Sequence, residues 1–303
     1  MKTQFPTGVI TATVTPMDRD LNADIPLLVS HCRDLLSKGS DGIVLLGTTG
    51  EANSFSVQER KAILDGVLEH GFDTRLLMVG TGCCALPDTV ALTRHACRAG
   101  VKNVLMLPPF YYKPVSDAAL YRYYADVIDK VGDPALRIYL YHIPPNSGVP
   151  VTGELITRLL ESYPKVIAGI KDSGGDWNHI LSLIKNFSSF RVYSGSEEYL
   201  LGTLQEGGVG CISATANITI AFIAEVLSTF RSGADAREQQ RLAISLRKVF
   251  SGYPFVSALK GFLALEHEDL KWNNMRPPNM PLEQEVMLRI KKSFEETLTI
   301  TIL

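Results

Sequence analysis

A lysine at the end of an apolar run is the residue in this sequence best suited to covalent chemistry. Lys171 follows the segment 166–170 (VIAGI), which carries no charge. Apolar surroundings favour the uncharged amine, which can attack a carbonyl carbon and form a Schiff base. Position alone supports a second interpretation equally well, in which Lys171 pairs with Asp172 in solvent at an ordinary strand end.

Hydroxyl and amide groups that could hold a carboxylate occur in the turn 47–51, with the sequence GTTGE. Thr48 and Thr49 contribute two hydroxyls, and a tight turn also presents backbone N–H groups. The turn lacks the GxxxxGK[ST] spacing of a phosphate-binding loop, so we expect no nucleotide. An ordinary turn is also rich in Gly and Thr, and the motif by itself leaves both interpretations open.

Tyr141 and Glu197 are further candidates for contact with a substrate. Tyr141 ends an apolar run, where its hydroxyl could transfer protons or bind a carbinolamine, although strand tyrosines are commonly packing residues. His142 would point to the opposite side of the strand, so we expect it to be packed and not to act as a base. Glu197 and Glu198 could bind hydroxyls or balance a helix N-terminus.

Signatures of other mechanisms are absent from the sequence. The six histidines show no metal-ligand spacing with acidic residues, HExxH and GxSxG do not occur, and Cys83 and Cys84 are adjacent. We therefore expect no metal and no cofactor, which disfavours a metal-dependent aldolase.

Eight short apolar runs, in which apolar and polar residues do not alternate cleanly, are expected to form the strands that position the candidate residues. Such runs are typical of parallel strands that are buried on both faces. They lie at 8–16, 42–50, 75–82, 103–110, 137–144, 166–173, 191–197 and 208–217.

Amphipathic segments alternate with these runs, for example at 24–37, 87–99 and 116–130, and Ser56 with Glu59 has capping-box spacing. Eight βα units without a GxGxxG turn predict an α/β fold, a closed (β/α)8 TIM barrel. The active sites of such barrels lie at the carboxyl ends of the strands, where all the candidate residues fall.

Three helices are predicted after the last strand, at 234–250, 255–266 and 282–297. We therefore expect a catalytic barrel over 1–231 and a helical extension over 232–303. The extension is too short for a second domain and should pack on the barrel as one structural unit.

The amino-acid composition argues against nucleic acid and membranes as partners of this chain. The 303 residues carry a net charge of -2 and no basic tract, which argues against nucleic acid. No apolar stretch reaches the roughly 20 residues of a membrane span, and no secretory signal is present. Five scattered cysteines indicate reduced thiols, so we expect a cytoplasmic protein that does not act at a membrane.

Four motifs occur together in one order: GTTGE at 47–51, PPFYYKP at 108–114, Y-x-x-P at 141–144 and GIKDS at 169–173. In this combination the chain resembles the dihydrodipicolinate synthase / N-acetylneuraminate lyase family of class I Schiff-base aldolases. The resemblance runs from about residue 8 to residue 282, where RPPNMPL is similar to the family's closing element.

The resemblance implies a role for each motif. Lys171 would form the imine with pyruvate or a longer 2-oxo acid, without a metal. Thr48 and Thr49 would hold the carboxylate, and Tyr141 would transfer protons, linked through Thr48 to Tyr111 of a neighbouring subunit. A homo-oligomer, dimer or tetramer, is therefore implied. The remaining substrate-binding residues implied by the resemblance are Gly47, Asn146, Ser173, Gly195, Glu197, Ile212 and Ser213.

Departures from the family pattern bear on the substrate. Asn146 stands where the synthases carry an arginine for a second carboxylate, and it lacks the bidentate charged contact of that residue. Glu197 is similar to the acidic residue of the sugar-acid lyases, although their turn begins Gly-Ser and this one begins with Gly47 and Thr48. We expect a Schiff-base lyase acting on pyruvate or a 2-oxo acid, such as a 2-keto-3-deoxy sugar acid, by cleavage, condensation or dehydration.

Two alternatives stay open. One is 4-hydroxy-tetrahydrodipicolinate synthase, which condenses pyruvate with aspartate semialdehyde. The other is a non-catalytic barrel that binds 2-oxo acids, which would not need the proton relay formed by Thr48, Tyr111 and Tyr141.

Overall fold

Eight parallel strands form a closed barrel in the computed structural model, which describes residues 5–302. The strands pair in sequence order, and the last pairs with the first. They are β1 Gly8–Ala12, β2 Gly42–Leu45, β3 Leu77–Gly80, β4 Asn103–Met106, β5 Arg137–His142, β6 Ile167–Asp172, β7 Arg191–Ser194 and β8 Gly210–Ser213. Each predicted run contains one strand, so the predicted TIM barrel is confirmed. Each run is longer than its strand, mainly because its last residues belong to the loop that follows at the barrel mouth.

Helices cover the outside of the barrel. They are α1 Ile25–Ser37, α2 Val57–Glu69, α3 Leu86–Arg98, α4 Asp117–Val131, α5 Pro144–Ser147, α6 Gly153–Ser162, α7 Trp177–Asn186, α8 Leu200–Gln205 and α9 Ala216–Arg231. The predicted capping box begins α2: the backbone N–H of Ser56 donates to Glu59 at 2.7 Å, and that of Glu59 donates to Ser56 at 3.2 Å. None of the described helices is both long and apolar enough to cross a membrane.

Aromatic side chains fill the amino-terminal half of the barrel interior. Tyr139 and Tyr193 are fully buried with ring centroids 5.9 Å apart, and Phe5 packs against both. Side chains two residues apart in a strand share a face, so Tyr141 also points inward, nearer the carboxyl end. The interior is therefore closed at one end, and its polar chemistry lies at the other.

The C-terminal segment forms three helices, α10 Arg237–Lys248, α11 Phe255–Glu266 and α12 Gln284–Ile302. Their core is built around Phe250, Phe262 and Phe294 and includes Val14, which follows β1. Through Val14 this layer packs on the carboxyl end of the barrel. The division into 1–231 and 232–303 stays a prediction.

A buried histidine makes stability depend on pH. His31 of α1 shares the side-chain oxygen of Asn217 with the backbone N–H of Val14, each at 3.0 Å. Burial lowers the pKa of His31 to about 4. As the pH falls, His31 therefore binds a proton in the unfolded chain, where a histidine pKa is near 6.5, before it does so in the folded chain. The free energy of unfolding should fall by about 3 kcal/mol as the pH drops from about 6.5 to about 4.

Chemical denaturation of the wild type and His31→Gln across this pH range measures that contribution. The variant lacks the titrating ring, so the stability difference between the two proteins should shrink as the pH falls. A stability difference that is constant with pH would show that His31 is not the source of the pH dependence of the free energy of unfolding.

Candidate active site

Lys171 lies at the carboxyl end of β6 with only 4% of its surface exposed. It pairs directly with Tyr141 in the β5–β6 register, and its Nζ lies 4.7 Å from the Tyr141 ring centroid. Asp172 turns the other way: its carboxylate accepts hydrogen bonds from His179 Nδ1 at 2.6 Å and from the Gly174 N–H at 2.8 Å. The interpretation of Lys171 as a solvated strand-end lysine paired with Asp172 is therefore wrong.

A hydroxyl pair lies beside this amine. The Tyr141 hydroxyl is 3.3 Å from Thr48 Oγ1, and Tyr141 is itself almost fully buried. Thr48 is exposed at the barrel mouth. An exposed threonine is thus hydrogen-bonded to a tyrosine whose ring lies against the amine, which is an arrangement able to carry a proton between solvent and the site.

The GTTGE turn is held rigidly by its own backbone and by β1. The N–H of Glu51 donates to the carbonyl of Thr48 at 3.1 Å, and Thr15 Oγ1 donates to the carbonyl of Gly50 at 2.9 Å. No hydrogen bond recorded for residues 5–302 uses the backbone N–H of Thr48 or Thr49. Both amides are therefore available to an anion, which is one of the two interpretations that the sequence motif leaves open.

A small cavity of about 20 Å³ adjoins this turn, and two of its polar residues were not found from the sequence. Arg60 and Asn53 line it together with Gly47, Thr48 and Tyr141. Arg60 is buried, and it donates to the Gly80 carbonyl at 2.8 Å and contacts Cys83 Sγ at 3.1 Å. On an amphipathic helix an arginine predicts a solvated face, so periodicity gave no signal for this residue.

Glu197 is fully buried in a cluster with the last strand and the extension. It accepts hydrogen bonds from Ser213 Oγ at 2.6 Å and from Thr215 Oγ1, and Arg247 Nη1 lies 3.3 Å from its Oε2. The structure therefore brings Glu197 and Ser213 together, with both carboxylate oxygens occupied. Direct contact of either with substrate stays a prediction. Thr215 and Arg247 were not found from the sequence.

The other predicted binding residues lie around the mouth. Ile212 is buried in the barrel interior, and Ser173 is half-buried. Gly195 makes room for that serine, because a Cβ at Gly195 would come within 2.0 Å of Ser173 Oγ. Asn146 is exposed on the short helix α5.

Tyr111 lies on the β4–α4 loop with 73% of its surface exposed, and Tyr112 packs edge-on against it. Within the described part of the chain, Tyr111 has no recorded contact with Thr48 or Tyr141. The structure thus brings Lys171, Tyr141 and Thr48 together and leaves Tyr111 on the surface.

His142, Asp172 and His179 form a cluster on the outer side of the barrel, which sequence spacing did not reveal. The Val151 N–H donates to His142 Nδ1 at 3.0 Å, so the proton of the neutral ring sits on Nε2 and no lone pair there faces the cluster. Burial lowers the pKa of His142, and the hydrogen bond to Asp172 raises the pKa of His179. These three groups suit a hydrogen-bonded cluster better than a metal site, and His142 is packed as expected.

A parallel eight-stranded barrel with a buried amine beside a phenol at its mouth has the architecture of a (β/α)8 lyase. The sequence matches the dihydrodipicolinate synthetase family over residues 5–297, and the chain belongs to that family. Members are lyases of the Schiff-base pyruvate aldolase type, so this protein is an enzyme of that type.

Individual relatives span both branches of the family. An uncharacterized DapA-like lyase of Chloroflexus aurantiacus is 34% identical over 291 residues, which cover 96% of each chain. YagE of Escherichia coli, a putative 2-dehydro-3-deoxy-D-gluconate aldolase, is 30% identical over 298 residues, again 96% of each chain. Its crystal structure in complex with pyruvate superposes with a TM-score of 0.89 over 96% of this chain and 98% of that chain. The dihydrodipicolinate synthase of Agrobacterium tumefaciens is 29% identical with a TM-score of 0.87, covering 96% of this chain and 99% of that one.

Proposed function

We propose that Lys171 forms the Schiff base and that the substrate is a 2-keto-3-deoxy sugar acid, which the enzyme cleaves to pyruvate and an aldehyde. One observation carries the proposal. Lys171 is buried at the barrel mouth without an ion-pair partner in the described residues, and it lies against Tyr141, whose hydroxyl meets Thr48.

Each step can be assigned to a side chain. The neutral amine of Lys171 attacks C2 of the substrate, and Tyr141 delivers a proton to the resulting hydroxyl so that water leaves and an iminium remains. The phenolate left on Tyr141 by that transfer, linked to solvent through Thr48, then accepts the C4 hydroxyl proton. The C3–C4 electron pair flows into the iminium, the aldehyde departs, and an enamine remains. Protonation of that enamine at C3 and hydrolysis of the imine release pyruvate and restore the amine.

The GTTGE turn binds the carboxylate of the 2-oxo acid substrate. The free N–H groups of Thr48 and Thr49, with their hydroxyls, are neutral donors in the turn whose Thr48 meets the Tyr141 hydroxyl. They would bind the carboxylate of the 2-oxo acid without adding a cation to the site.

The choice of a sugar acid rests on Asn146 and on the resemblance to YagE. Asn146 is exposed on α5 and offers no charge to a second carboxylate. YagE carries the name of a putative 2-dehydro-3-deoxy-D-gluconate aldolase at 30% identity. Condensation and dehydration use the same iminium, so they are the neighbouring reactions that we expect from this site.

We further propose a homodimer or homotetramer in which Tyr111 of one copy completes the relay of the next. The exposure of Tyr111, 73% in the single chain, supports this, because a large aromatic ring at a surface gains stability when a partner covers it. A cytoplasmic location is proposed from the five cysteines, which are all free thiols.

A substrate panel tests the assignment. We expect pyruvate release, measured by coupled reduction, from 2-keto-3-deoxy sugar acids. Condensation of pyruvate with aspartate semialdehyde should run about 10- to 100-fold more slowly, because one charged contact is missing. Asn146→Arg should raise the condensation rate, whereas the matched control Asn146→Gln should not. Fast condensation by the wild type, with no cleavage on the panel, would instead support the synthase.

A further inference from the structure

A buried ion pair joins the helical extension to the turn that carries Thr48 and Thr49. Lys260 lies on α11, and Glu51 is the last residue of the GTTGE turn. Both side chains are fully buried, with Lys260 Nζ 2.8 Å from Glu51 Oε1. The same ammonium donates to the backbone carbonyl of Thr15 at 3.0 Å. The pair therefore ties the extension to β1 and β2 at their carboxyl ends.

The backbone of Glu51 needs this support. Glu51 has φ 54° and ψ 33°, the left-handed region, which is unfavourable for a residue with a side chain. Its second carboxylate oxygen accepts a hydrogen bond from Asn279 Nδ2 at 3.2 Å. The extension thus satisfies both oxygens of the carboxylate, and it holds the residue that closes the turn.

A second anchor lies immediately after the turn. Arg276 donates to the carbonyl of Ser54 at 2.8 Å and to that of Leu21 at 3.0 Å, and it forms a 2.5 Å ion pair with Glu59 at the start of α2. The segment from the turn to α2 is therefore bound to the extension at two points, of which the Lys260–Glu51 pair is nearer to Thr48 and Thr49.

Burial of two charges gives little net stability, because the cost of removing them from water offsets their attraction. Burial alone lowers the pKa of Lys260, and Glu51 opposes that shift. The pair is therefore poorly explained as a stabilising device. What it does provide is a fixed, directional contact at one point of the turn.

We propose that Lys260 and Glu51 are positioning residues, which hold the Thr48 and Thr49 amides in the orientation that binds the carboxylate of the 2-oxo acid. This inference rests on the proposed function. It assigns to the extension a task in substrate binding, because Lys260 and Asn279 of the extension bind both oxygens of the Glu51 carboxylate.

The test uses borohydride trapping at Lys171 with two probes, pyruvate and hydroxyacetone, a ketone of similar size without a carboxylate. In Lys260→Met, the pyruvate concentration for half-maximal trapping should rise about tenfold, as expected for a misplaced pair of hydrogen-bond donors. Trapping of hydroxyacetone should stay unchanged. Lys102→Met serves as the matched control, because Lys102 Nζ pairs with Asp133 Oδ2 at 2.8 Å away from the mouth. Its loss should leave the trapping of both probes unchanged.

The double variant Lys260→Met/Glu51→Gln covers the case in which the single variant fails to fold, since it leaves no unpaired buried charge. In this double variant, too, the pyruvate concentration for half-maximal trapping should rise while trapping of hydroxyacetone stays unchanged. Equal losses for both probes, or no loss for pyruvate, would overturn the positioning role. Failure of the wild type to trap pyruvate at Lys171 would instead refute the proposed function, so the two failures are distinguishable.

Discussion

Lys171→Ala is expected to lose at least ~10⁴-fold in kcat/KM for cleavage, because no other group of the described site can form the imine on which bond breaking depends. Lys171→Arg should be equally inactive, since a guanidinium stays protonated and is not a nucleophile. Steady-state pyruvate release measures both variants.

The matched control is Lys165→Ala, which removes an exposed lysine just before the same strand and should retain wild-type kinetics. Both Lys171 variants should stay folded, because Lys171 has no ion-pair partner in the described chain whose charge would be left buried. Circular dichroism and denaturation check this. Residual activity of Lys171→Ala above about one hundredth of the wild type would show that the imine forms elsewhere or is not needed.

Tyr141→Phe is expected to lower kcat for cleavage by about 10²- to 10³-fold while the KM changes little. The phenol transfers protons, but it is not the group that binds the carboxylate, so the loss should fall on the chemical steps. Thr48→Val should lower kcat as well, because it breaks the 3.3 Å contact that links Tyr141 to the exposed threonine. The kcat of the double variant Thr48→Val/Tyr141→Phe should be only slightly below that of Tyr141→Phe alone, since the two hydroxyls act in one relay.

Tyr139→Phe is the control within the same strand. Tyr139 lies two residues earlier on the same face, deep in the closed half of the barrel, where its hydroxyl oxygen accepts a hydrogen bond from Arg191 Nη1 at 3.0 Å. Its loss should reduce stability and leave kcat near the wild-type value. Strictly multiplicative losses in the Thr48 and Tyr141 pair, or an unchanged kcat in Tyr141→Phe, would contradict the relay.

The barrel was predictable because its strands are buried on both faces and therefore stand out as apolar runs. The ends of those runs also located Lys171, Tyr141 and Thr48, since parallel strands bring their carboxyl ends to one side. Direct pairing of Lys171 with Tyr141 follows from the β5–β6 register, which the sequence does not encode in any local pattern.

Contacts between distant side chains were not predictable. Lys260 and Glu51 are 209 positions apart, and Arg247 and Glu197 are 50 apart. Each pair joins a helix of the extension to the barrel, and nothing in the periodicity of either segment marks its lysine or arginine as the partner of a buried carboxylate. The sequence singled out Glu197 as a functional candidate, which stays a prediction, but its contacts with Ser213, Thr215 and Arg247 become visible only in the folded arrangement.

Reduction of the wild-type protein with borohydride in the presence of pyruvate, followed by peptide mass mapping, shows directly whether Lys171 forms the Schiff base. We expect one reduced pyruvate adduct per chain, carried by the peptide that contains Lys171, and the same adduct in the presence of a metal chelator. No adduct, or an adduct on a peptide other than the one containing Lys171, would contradict this expectation.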